Sequence, residues 1–141
     1  MDVEATLRAL ADESAIRDLA RRYAHCVWQR DAAGAAALFA EDGVRDTGDG
    51  PPLEGRPAIL DEYTKAFDGS GFFPFVHNHV IDLDGDRATG TTYLELHGEV
   101  DGRRMEGWGW YEDAYARTSE GWRFARRRLS LAHYAAAERR S

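Results

Sequence analysis

Apolar positions recur every three to four residues through the first third of the chain and every second residue from Phe72 onward, so helices come first and strands follow. Val3, Leu7, Leu10 and Ala11 share one helical face. Asp12 and Ser14 offer oxygens that can cap a fresh start. Ile16, Leu19, Ala20, Tyr23, Cys26 and Val27 then form a stripe that predicts a long helix over about residues 13–30. Asp31 can cap a short third helix through Ala40, anchored by Leu38 and Phe39. Glycines and prolines between positions 44 and 56 read as loop, with one short strand near Val44. Pro57 opens a further helix to about Asp68, and Gly69-Ser70-Gly71 closes it.

Strands are predicted over 75–83, 88–100, 104–117 and 122–134. Asp84-Gly85 and Asp101-Gly102 are tight-turn dipeptides, and Ser119-Glu120-Gly121 makes the third turn of an antiparallel meander. Helices followed by a run of strands give one α+β domain over residues 1–141, with N-terminal helices packed on one face of a curved antiparallel sheet. Long strands curling around a helix leave a conical hollow, which suits a small, mostly apolar guest.

Side chains alternate between the two faces of a strand, which sorts the candidates for chemistry. Val76, Asn78 and Val80 fall on one face, with His77 and His79 on the other; in the next strand Thr92, Leu94 and Leu96 face the hollow while Tyr93, Glu95 and His97 face away. On this reading the histidines lie on the convex face, a natural dimer surface. Two sharper readings stand beside it. If the strand is shifted, His77 or His79 enters the hollow as a general base, since an imidazole titrates near pH ~6.5. Alternatively His77, His79, His97 and Glu95 bind zinc.

Tyr23 lies on the helical stripe, where its hydroxyl either enters the hollow as a hydrogen-bond donor or acid, or is a core tyrosine bonded to backbone. Gly107 and Gly109 alternate with Trp108 and Trp110, so one face is bare, either bending the strand or making room for a ligand; Tyr111 and Asp113 follow on that face. If Leu129 and Leu131 face inward, so does Arg127. A buried arginine needs an acceptor, either an internal acid such as Asp113 or an anionic group on a ligand.

Composition narrows the function. The chain has 141 residues, 25 acidic against 18 basic, and a net charge of −7, which argues against binding nucleic acid or anionic membrane. Its one cysteine, Cys26, cannot form an intrachain disulfide and fits a cytoplasmic setting. No apolar run reaches the roughly 18 residues of a membrane helix, and the acidic start MDVEATLRAL lacks the order of a signal peptide. The nucleotide, dinucleotide, serine-hydrolase, zinc-protease and CxxC motifs are all missing.

Four stretches resemble the SnoaL-like branch of the NTF2-like superfamily: ALADESAIRDLARRYAHCVWQRD, LFAEDG, HNHVIDLDGDRATG and YEDAYARTSEGWRFARR. The resemblance implies a cone-shaped α+β barrel, a homodimer, and acid–base chemistry without a cofactor or metal on a small hydrophobic cyclic molecule: elimination or dehydration, isomerisation or cyclisation. The fold also hosts non-catalytic ligand-binding and dimerisation domains. Dehydratase-like members carry an aspartate five residues after the position of Tyr23, where this chain has Trp28. They carry a histidine about four residues before the asparagine matching Asn78, where this chain has Pro74. An arginine of the dehydrochlorinase falls on Arg127. The strand and helix faces together with the resemblance thus give Tyr23, His77 or His79, and Arg127 as the candidates for catalysis, with Trp28, Val76, Asn78, Leu94, Leu96, Tyr111 and Leu131 around the substrate.

Overall fold

The computed structural model describes residues 2–69 and 71–137, so Ser70 of the predicted closing turn lies outside the described residues. Three helices, α1 (Val3–Trp28), α2 (Ala32–Ala37) and α3 (Arg56–Ala66), pack against one sheet of six strands. The strands are β1 (Phe39–Asp46), β2 (Leu53–Glu54), β3 (Gly71–Asp84), β4 (Arg87–Val100), β5 (Arg103–Thr118) and β6 (Gly121–Ala136). Their order is β2-β1-β6-β5-β4-β3. The expected α+β architecture is therefore present. The sheet curves without closing on itself, and the edge strand β3 packs against α1.

Two elements differ from the pattern reading. No helix starts at Asp12: α1 runs unbroken from its Asp2 cap, which accepts from the Ala5 amide at 3.2 Å. Nothing between Leu10 and Ala15 breaks a helix, and the Asp12 carboxylate instead receives Arg117 at 2.7 and 2.9 Å and the Trp122 indole at 3.0 Å. The first turns consequently run beyond the core, leaving Val3, Leu7 and Leu10 exposed. The short strand near Val44 is the eight-residue β1, parallel to β6, while the third helix stops at Ala37.

The expected hollow is filled. Tyr23, Phe39, Tyr63, Tyr111, Tyr115 and Phe124 occupy the space between α1, α3 and the sheet, all at most 5% exposed. Their rings meet mostly edge to face, at centroid distances such as 5.8 Å for Tyr23–Tyr111 and 6.0 Å for Tyr23–Phe124. Leu94 and Leu96 belong to this packed core. The bare face at Gly107 and Gly109 serves backbone packing: a Cβ at Gly109 would lie 2.0 Å from the Ser130 carbonyl oxygen, and one at Gly107 would lie 2.2 Å from that of His133. Opposite these glycines β6 carries an extra residue, and its backbone uses the space they free.

Candidate functional site

The site begins with a bulge. Val76 pairs with Leu94 and His79 with Thr92, so three steps along β3 match two along β4. One extra residue turns the strand over. Before the bulge the even positions face inward, as Pro74 does opposite Leu96; after it the odd positions do, with His79 opposite Thr92 and Leu83 opposite Ala88. His77 and His79 therefore do not share a face. His77 points outward, where the Glu95 carboxylate accepts it at 3.0 Å and His97 at 3.3 Å. These two bonds, that from His97 first, hold the Glu95 carboxyl below its usual range. Val80, expected inside, is exposed. The zinc alternative fails for the same reason: its four side chains lie on two faces. Among the described residues no group of three or more histidines, cysteines or acids is placed to hold a metal ion.

His79 faces a cleft of about 360 Å³ between α1 and β3, lined by Arg17, Ala20 and Arg21 from the helix and by Val76, His77, Asn78 and His79 from the strand. Behind the histidine stands a chain of hydrogen bonds. His79 Nε2 lies 2.9 Å from the Tyr115 hydroxyl, and that hydroxyl donates to Asp113 Oδ2 at 3.0 Å. A phenol has one proton, and Asp113 takes it. Tyr115 oxygen must then accept from His79 Nε2–H, which leaves the Nδ1 lone pair of the neutral ring free. Partial burial, followed by the fields of Arg127, Arg17 and Arg21, lowers the His79 pKa to about 4. The imidazole is thus neutral near pH 7.

Arg127 anchors the other end of the chain. It is fully buried, as expected, with Nε 3.2 Å from Asp113 Oδ1. Its carbon lies 3.5 Å from the Tyr111 ring centroid and 4.3 Å from that of Tyr23, so aromatic faces hold the cation as much as the carboxylate does. Desolvation still keeps the Asp113 carboxyl above its ordinary range, with Arg127 only partly opposing it. Burial likewise pushes the Tyr111 hydroxyl up to about 12. Deeper inside, the Tyr23 and Tyr63 hydroxyls meet at 2.5 Å, and Arg45 Nε donates to both at 3.3 and 3.0 Å. Burial alone raises the Tyr23 hydroxyl, but Arg45 and Arg127 together outweigh it and the net shift is downward. Arg45 and Tyr63, not among the sequence candidates for chemistry, form this second cluster; their chain positions lie 18 residues apart, and only packing joins them.

Other expected positions fall away from the cleft. Trp28 donates its indole N–H to the Pro74 carbonyl at 2.8 Å and packs on Phe73 and Phe75. Trp28 and Pro74, the two positions compared in the sequence, thus touch, and neither side chain can move a proton. Leu131 pairs with Gly109 yet stays 38% exposed, and neither it nor Trp28 lines the cleft. Tyr23 and Tyr111 lie buried behind it. Of the predicted residues, Val76, Asn78, His77 and His79 are brought together there. Arg17 and Arg21 were missed. Their signal was available: each follows a stripe residue, Ile16 or Ala20, and so flanks the buried face.

Residues 8–128 match the SnoaL-like domain. The chain belongs to the SnoaL-like family. Among solved structures, this SnoaL-like chain is similar to an NTF2-like protein with a cystatin-like fold from Novosphingobium aromaticivorans, at 28% identity and a TM-score of 0.79, covering 93% of this chain and 88% of that one. It is similar to Rv3472 of Mycobacterium tuberculosis, a protein of unknown function, at 27% identity and 0.79, covering 86% and 77%. A hexachlorocyclohexane dehydrochlorinase, LinA type 2, superposes with a TM-score of 0.87 over 94% of this chain and 93% of its own at 17% identity, a likeness of fold alone. No match was found among the curated proteins. Among the described residues no helix of this SnoaL-like chain is long and apolar enough to cross a membrane.

Proposed function

We propose that this SnoaL-like protein is an enzyme that moves a proton on a small ring compound by general acid–base chemistry without a cofactor, with His79 as the proton acceptor. One observation carries the reading: the Asp113–Tyr115–His79 chain of hydrogen bonds ends in an imidazole on an open cleft. His79 Nδ1 takes a proton from a substrate carbon. The electron pair of that C–H bond expels a leaving group from the neighbouring carbon, or moves toward a carbonyl in an isomerisation or cyclisation. The imidazolium keeps its Nε2–H on Tyr115, whose own proton stays with Asp113, and it returns the new proton to the leaving group or to another substrate atom. Such catalysis contributes about 10²–10⁴-fold. Asn78 lies beside the base and can orient the substrate. Tyr23 and Arg127, fully packed, support the chain from behind.

The test needs no named substrate. A panel of cyclic ketones and of halogenated or hydroxylated ring compounds is incubated in deuterated buffer and followed by proton NMR. Native protein exchanges or eliminates a ring proton in at least one class. His79→Gln returns the rate to that of buffer, and Tyr115→Phe slows it about tenfold or more. Turnover that survives His79→Gln would sink the assignment.

A second reading, a non-catalytic ligand-binding domain, is favoured by the filled interior and by Trp28 and Pro74 in the usual acid–base positions. No turnover with any class, with binding intact, would select it. For either reading we propose a homodimer formed through the convex face, where Phe75, Tyr93 and Trp108 are exposed, and a cytoplasmic setting in keeping with the single buried cysteine.

A further inference from the structure

Arg17 and Arg21 are four residues apart on α1, so both lean over the same cleft. Like charges at that spacing repel and destabilise a helix. In a chain with 25 acids an acidic partner for each would be easy to supply. Neighbouring Arg22 has one, bonding Asp18 at 2.6 Å. Among the described residues, neither Arg17 nor Arg21 makes an ion pair or a hydrogen bond. The remaining cleft wall contains no carboxylate: it is Ala20, Val76, His77, Asn78 and His79. Asp113 stands behind Tyr115 and is engaged by Arg127. Two forked cations, unpaired, thus line the helix wall of a cleft whose strand wall carries a neutral base and an amide.

We infer that this cleft takes ring compounds bearing an oxyanion group, a carboxylate or a phosphate, with Arg17 and Arg21 holding the anion and His79 reaching the ring. The inference deepens the reading of the cleft as the substrate site and rests on it. A guanidinium pairs a carboxylate or phosphate through two parallel N–H bonds, which fixes orientation as well as charge. An anion seated there relieves the repulsion between the arginines. It also offsets their field at His79, so the base strengthens when the substrate is bound.

The probes are benzoate, phenyl phosphate and neutral benzamide, titrated by calorimetry while NMR follows the His79 ring. Native protein binds at least one of the two anions about tenfold or more tightly than benzamide. The preferred anion distinguishes carboxylate from phosphate. Its binding perturbs the His79 signals and raises the His79 pKa. Arg17→Gln and Arg21→Gln each weaken the anion about fivefold or more and leave benzamide unchanged, whereas Arg22→Gln changes neither. These positions are exposed, so the variants fold. Equal affinity for anion and amide in the native protein overturns the inference, as does anion binding indifferent to both arginine variants. His79→Gln separates the two claims. It keeps the anion preference while losing turnover; if turnover survives but the preference stands, the acid–base reading falls and the oxyanion site remains.

Discussion

His77 and His79 stand two positions apart on one strand and point to opposite faces of the sheet, because β3 carries one residue more than β4 between Val76 and His79. His77 is thereby given to Glu95 on the outer surface, and His79 to Tyr115 inside. The consequences for both faces, and for the buried charges between them, can be measured.

Proton titration followed by NMR should find His79 with a pKa of about 4, against an ordinary value of 6.5. The folded state binds its proton less readily than the unfolded chain, so the stabilisation that depends on a neutral His79 is complete above pH 6.5 and is lost as pH falls toward about 4. Urea midpoints at pH 7 and pH 4.5 should therefore differ less in His79→Gln than in the native protein. A His79 that titrates at its ordinary value would contradict the geometry.

Asp113→Leu should cost about 3–5 kcal/mol, since it leaves the Arg127 charge buried without a counter-ion. Replacing both partners, Arg127→Met with Asp113→Leu, should cost far less than the sum of the single changes, because no charge then remains to be desolvated. Denaturant unfolding of the four proteins gives the cycle. Additive losses would mean that the aromatic faces, rather than the 3.2 Å pair, hold the cation.

Gly109→Ala should destabilise by about 1–3 kcal/mol or more, because the added methyl meets the β6 backbone. Gly50→Ala is the control: a Cβ there meets nothing within 4 Å. Equal thermal midpoints for the two variants would show that β6 can retreat freely.

If the convex face joins two copies, Trp108→Glu should shift sedimentation from dimer to monomer, since a charge would enter the apolar patch. Trp108 is 53% exposed and stacks on His133 at 4.4 Å, so its replacement removes little from the fold itself. A monomeric native protein would dispose of the proposed interface.

Much was written in local pattern. The helical stripe from Ile16 to Val27 is the buried face of α1, and the two Asp-Gly dipeptides lie at the turns that set the β3–β4 and β4–β5 hairpins. These follow from periods and turn propensities that a short window contains. The inward facing of Arg127 and its pairing with Asp113 were also legible, since they need only alternation and the cost of burying a charge. The family was readable because its residues recur in order across residues 8–128.

Only the fold decided which histidine faces the cleft. A bulge is an excess of one residue relative to a partner strand, so it has no meaning in β3 taken alone. The same limit hid the fate of the hollow: six rings and a guanidinium fill it, and whether side chains leave a void depends on how closely elements distant in sequence approach. It also hid the missing partners of Arg17 and Arg21, which could be recognised only once every nearby carboxylate had been placed.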